Sequence, residues 1–160
     1  EGLYADALAA LSFLDKTNDT ERPLIIYGES LGTAVATNLA SELARMGSPA
    51  SGLILEAPFP SLTSVAKYHY PFVPIKWLLK DKFEQSLHID KVKAPVFVFH
   101  GDQDKTIPIS LGKNLFEKAL MPKQSNWFKG AGHNDLFDFG AGKLSVSFIW
   151  QIIPPSSNVE

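Results

Sequence analysis

Leu24-Ile25-Ile26-Tyr27-Gly28-Glu29-Ser30-Leu31-Gly32 is the stretch that decides the fold. Four apolar residues behind Pro23, closed by Gly28, fit a short strand buried on both faces, as in a parallel sheet. Residues about 31–45 then form a run rich in Ala and Leu that reads as a helix, stopped by Gly47 and Pro49. A strand that turns at once into a helix leaves its turn residue strained. Gly28 and Gly32, two before and two after Ser30, let the backbone pass closely, and the Ser30 hydroxyl is thrust out at the top of the sheet. The start of the helix adds N–H groups without intrahelical partners and a dipole that favours developing negative charge. A serine that merely caps a turn would also satisfy these five positions. The strand before and the helix after make Ser30 a candidate nucleophile.

Outward from this stretch, strands and helices alternate. Leu3, Ala7, Ala10, Leu11 and Leu14 fall at helical spacing and predict an amphipathic helix over about 3–15. Leu53-Ile54-Leu55 and Val96-Phe97-Val98-Phe99 read as buried strands, and Ser125-Asn126-Trp127-Phe128 as a weaker one. Helices are expected over about 108–120, with Pro108 in the first turn, and over about 141–153. Pro154 to Glu160 reads as a frayed tail. This order argues for an α/β domain over 1–153, a mostly parallel sheet with helices on both faces. Its chemistry belongs at the carboxyl ends of the strands.

The exception is an insert over about 58–90, with no clear strand and the aromatic, proline-rich run Tyr68-His69-Tyr70-Pro71-Phe72-Val73-Pro74-Ile75-Lys76-Trp77. Short helices packed on the sheet would explain it, and so would a small cap over a substrate pocket. On the second reading Phe59, Tyr70 and Trp77 would touch substrate. Lys67, Lys76, Lys80, Lys82, Lys91 and Lys93 gather here, but Asp81, Glu84 and Asp90 are interspersed, which fits a solvated face better than an anionic membrane site.

Composition narrows the function classes. The 160 residues are 45% hydrophobic and 20% charged, an ordinary globular balance. A net charge of −2 gives no electrostatic footprint for nucleic acid. The absence of cysteine excludes a Cys nucleophile, disulfides and thiolate metal sites. No clustered His and carboxylate spacing suggests a catalytic metal, and no cofactor is expected. Glu1 opens no signal peptide, and a helix begins almost at once, as if the chain were cut from something longer. A cytoplasmic location is the expectation, with membrane association left to any upstream anchor.

Two further signals follow predicted strands. His100-Gly101-Asp102-Gln103-Asp104 closes the third, where a carboxylate can reach an imidazole, although an Asp-rich turn would look the same. Gly130-Ala131-Gly132-His133-Asn134-Asp135 follows the fourth, and its glycines suit a loop that must place one side chain. Ser, Asp and His then occur in the chain order of one particular triad fold.

With these three motifs and Glu56-Ala57-Pro58-Phe59, the chain resembles the α/β-hydrolase superfamily, from about Gly2 to about Phe139. It is most similar to the branch that includes depalmitoylases, with prolyl-oligopeptidase-like and dienelactone-hydrolase-like branches further off. The resemblance implies that the four strands are the last four of an eight-stranded sheet. It implies Ser30 as nucleophile, Asp104 rather than Asp102 as the acid, His133 as the base and the Leu31 N–H as an oxyanion donor. It implies attack on an ester, thioester or amide carbonyl, and the aromatic insert, favouring an apolar, lipid-like acyl group, points to a carboxylic ester or thioester. Peptidase activity and a non-catalytic binding role are the alternatives. The family takes a second oxyanion donor from a loop before the nucleophile, which nothing upstream of Ser30 here can supply. A fragment or a truncated remnant is therefore expected, with an exposed strand edge at 24–28 open to self-association.

Overall fold

The computed structural model describes residues 2–17, 22–74, 79 and 81–154. Helix α1 (Gly2–Thr17) leads to strand β1 (Ile25–Glu29), α2 (Gly32–Arg45) and β2 (Gly52–Glu56). The insert contributes α3 (Leu62–His69) and two short 3-10 turns, Gln85–Leu87 and Ile89–Lys91. Strand β3 (Val96–Gly101), α4 (Ile109–Lys118), β4 (Lys123–Phe128) and α5 (Ala141–Ile152) complete the described elements.

The strands form one parallel sheet in the order β1-β2-β3-β4. Right-handed crossovers that always step in one direction put all their connections on one face. Accordingly α2, the second 3-10 turn and α4 pack with Ile26, Leu53, Leu55, Val96 and Val98 on one side. After β4 the chain crosses over, and α5 covers the other side through Phe148 and Ala141 on Ile54, Phe97 and Phe99. Leu53, Leu55, Val96 and Val98 are fully buried, each stabilising the fold by about 1.5–3 kcal/mol.

One expectation needs correction. β1 is not buried on both faces: Ile26 and Gly28 are buried, but Tyr27 is 43% exposed and Glu29 is exposed. The cause is its edge position, since α5 lies over β2 and β3. Of the two readings of the insert, short elements packed on the sheet describe its second half, where Ile89 is 0% exposed in the core. Its first half, α3, is started by Ser61, whose hydroxyl accepts the Ser64 N–H while Ser64 Oγ accepts the Ser61 N–H, a reciprocal cap that satisfies two helix-end donors. Trp77, Lys76, Lys80 and the tail from 155 onward lie outside the described residues.

Candidate active site

Ser30 opens the two-residue turn between β1 and α2, with φ at 50°, a left-handed value that non-glycine residues rarely hold. The turn is anchored from both sides. The Ser30 N–H donates to the Glu56 carbonyl at 2.9 Å, and the Ser30 carbonyl accepts from the Thr33 N–H at 3.0 Å. Gly28 is required by sterics: a Cβ there would sit 2.7 Å from Ala36 Cβ and 2.8 Å from Thr33 Cα. Gly32 is not, since a Cβ at that position meets nothing within 4 Å. The close passage expected on both sides of Ser30 exists only on the strand side, because Gly32 faces the open space between α1 and α2.

The loops after β3 and β4 bring two more groups to Ser30. His133 Nε2 lies 3.1 Å from Ser30 Oγ, across 103 residues of sequence, and His133 Nδ1 lies 2.7 Å from Asp104 Oδ2. The other Asp104 oxygen accepts the N–H groups of Thr106 and Ile107, both at 2.8 Å. Asp104, not Asp102, therefore faces His133. Asp102 Oδ1 instead accepts the Gly130 N–H at 2.8 Å and ties the two loops together. Asp135 accepts the Gly132 N–H at 2.7 Å and shapes the histidine loop.

Burial alone would raise the Asp104 pKa, but hydrogen bonds from His100, His133 and the Ile107 N–H outweigh it and hold the carboxyl well below the usual carboxylate range. The hydrogen bond to Asp104 raises the His133 pKa, against the opposing effect of burial. Burial raises the pKa of Glu56, which sits beneath the site at the end of β2 and accepts a hydrogen bond from the Tyr27 hydroxyl.

The remaining candidates separate. Leu31 stands just ahead of α2, so its N–H belongs to a helix amino terminus. Phe59, expected against substrate, is 1% exposed in a core cluster with Ala34 and Ile107. It packs between Ala34 on α2 and Ile107 in the loop after β3. Tyr70 is 61% exposed at the end of α3. An apolar groove of about 610 Å³ opens elsewhere, between α1, the β1 edge and α2, and reaches Tyr27 and Leu31. Among the described residues no group of three or more His, Asp or Glu side chains could hold a metal ion.

Two further residues support the site. His100 is fully buried with Nε2 3.2 Å from Asp104 Oδ2 and 2.8 Å from the Ile107 carbonyl. Its place four residues before Asp104 was the available signal. Gln85 is 1% exposed and reaches Thr33 on α2. No local pattern marks it.

Residues 4–138 match the family described as the alpha/beta hydrolase domain. The chain is 40% identical over 136 residues to an uncharacterized protein of Mycobacterium tuberculosis, covering 84% of this chain and 47% of that protein. It is 34% identical over 141 residues to the lysophosphatidylserine lipase ABHD12 of Danio rerio, covering 80% and 37%. It thus spans less than half the length of these relatives. Among solved structures, the esterase domain of a Rhodothermus marinus protein superposes with a TM-score of 0.70 at 20% identity, covering 92% of this chain and 68% of that one. An alpha-beta hydrolase from Vibrio vulnificus gives 0.70 at 24% identity, covering 91% and 56%.

Proposed function

Because this chain belongs to the α/β-hydrolase family, we propose that it carries the Ser30-His133-Asp104 triad of a serine hydrolase acting on carboxylic esters or thioesters. The observation that carries the proposal is the continuous pair of contacts from Ser30 Oγ through the His133 ring to Asp104 Oδ2, at 3.1 and 2.7 Å. In the proposed mechanism the Asp104 contact holds the proton on Nδ1, so Nε2 is free to accept the Ser30 hydroxyl proton as Oγ attacks the acyl carbon. The Leu31 N–H donates to the developing oxyanion. The imidazolium then protonates the leaving group, and water activated by His133 releases the acid.

A lipase among the relatives, and esterase among the names of the similar folds, favour an acyl ester over a peptide. The test is labelling by a fluorophosphonate and turnover of 4-nitrophenyl esters and acyl thioesters of graded chain length. Ser30→Ala is expected to remove both labelling and turnover while leaving the circular dichroism spectrum intact. Labelling that persists in Ser30→Ala refutes the assignment. Labelling without turnover of any ester or thioester turns the reading toward a peptidase or a binding role.

A further inference from the structure

Three side chains of zero to 1% exposure lie behind the nucleophile turn and are joined in one direction. Thr37 Oγ1 donates to Gln85 Oε1 at 3.3 Å, and Gln85 Nε2 donates to Thr33 Oγ1 at 2.8 Å. Thr33 Oγ1 in turn donates to the Ser30 carbonyl at 2.5 Å. The direction follows from the amide orientation, with Oε1 toward Thr37 and Nε2 toward Thr33. An amide NH₂ only donates, so the Thr33 oxygen receives from Gln85, and its own hydrogen is left for the Ser30 carbonyl.

That carbonyl also accepts the Thr33 N–H at 3.0 Å, so it is held twice. The peptide between Ser30 and Leu31 is one rigid plane in which C=O and N–H point in opposite directions. Holding the Ser30 carbonyl down toward the body of α2 therefore aims the Leu31 N–H up and out of the helix, toward the space above Ser30. The Thr33 hydroxyl thus adds a side-chain restraint to the backbone bonds that already fix that plane.

We propose that Gln85 is a positioning residue which, through Thr33 and the Ser30 carbonyl, sets the direction of the Leu31 N–H as oxyanion donor. The insert then acts on catalysis from behind the nucleophile helix and not only from above the site. This inference rests on the triad reading, since it gives a role to a donor that only an acyl-transfer site needs.

The discriminating variant is Gln85→Glu in the full-length protein. A carboxylate only accepts, so the Thr33 hydroxyl turns toward it and leaves the Ser30 carbonyl with one bond. The probe is a trifluoromethyl ketone. Ser30 Oγ adds to its carbonyl carbon, the hydroxyl proton passes to His133, and the former carbonyl oxygen becomes a bound oxyanion. Gln85→Glu is expected to lower kcat about tenfold and weaken the ketone by a similar factor, with KM changed less than about twofold. Thr33→Val, close in shape and lacking the hydroxyl, should do the same, and Thr33→Ser should restore most of the loss. The double variant Gln85→Glu/Thr33→Val should be no worse than the poorer single one, because both break one chain. If Gln85→Glu does not fold, the contrast between Thr33→Val and Thr33→Ser decides alone. Ketone affinity unchanged in the folded variants overturns the inference while Ser30→Ala still abolishes turnover. Turnover that survives Ser30→Ala overturns the triad reading itself.

Discussion

His100 Nε2 stands 3.2 Å from Asp104 Oδ2, and both side chains are sealed from solvent. The same nitrogen is 2.8 Å from the Ile107 carbonyl. Both neighbours only accept, so Nε2 carries a proton, and among the described residues Nδ1 has no hydrogen-bond partner. A second histidine thus restrains the carboxyl that faces His133.

His100→Leu should therefore weaken the hold on Asp104 while Ser30, His133 and Asp104 themselves stay unchanged. A hydrogen bond to a charged group contributes about 1.5–3 kcal/mol, and that loss is expected in unfolding by urea at neutral pH. The pH dependence has a definite sign. The folded Asp104 pKa lies below its unfolded value, so its stabilisation is full above about 3.9 and disappears as pH falls through the folded value. The deficit of His100→Leu should accordingly narrow in strong acid. An equal deficit at every pH would show that only packing was lost.

The pH–rate profile should report His133. Its pKa is raised above 6.5 in the folded chain, chiefly by the Asp104 hydrogen bond. The base must be neutral to accept the Ser30 proton, so kcat/KM should climb with pH through a value above 6.5. Asp104→Asn removes the main cause of that rise. Its acid limb should move to lower pH while the rate falls by about 10⁴. An acid limb unmoved by Asp104→Asn would separate Asp104 from His133 in function.

Phe59 makes a contrast between core and pocket testable. Its ring is 1% exposed among Ala34 and Ile107. Phe59→Ala should cost about 3–5 kcal/mol in stability, read from denaturant unfolding. The order of preference among acyl chain lengths should stay as it is. A stable variant with altered chain-length preference would return Phe59 to the substrate pocket.

These residues also show what can be read from a sequence of this kind. Ser30, Asp104 and His133 were legible because each follows a strand within a local glycine-bearing motif, and the parallel topology then brings the strand ends together. The strands themselves were legible as apolar runs, most clearly β2 and β3, which are buried throughout. β4 was faint because it is an edge strand in which only Phe128 is fully buried. Phe59 misled because an aromatic side chain in an insert looks alike whether it lines a pocket or fills a core. Gln85 left no trace because its partner Thr33 is 52 positions away and neither residue belongs to a motif.

Among the described residues β1 is bonded only to β2, so its outer N–H and C=O groups form an unpaired row. Beside it runs the apolar groove, with Leu3 49% and Leu14 44% exposed on α1. An unpaired edge next to apolar surface is a template for another strand. We therefore expect the isolated 160 residues to self-associate with rising concentration in sedimentation and light-scattering measurements. Leu3→Lys and Leu14→Lys, which place charge in the groove without entering the core, should shift the equilibrium toward monomer. A longer polypeptide whose upstream segment pairs with β1 should be monomeric with no substitution. It should also turn over esters faster if that segment brings a second oxyanion donor, because one such donor is typically worth about 10²–10³ in rate. A monodisperse monomer of the 160 residues, as active as the longer polypeptide, would contradict both parts.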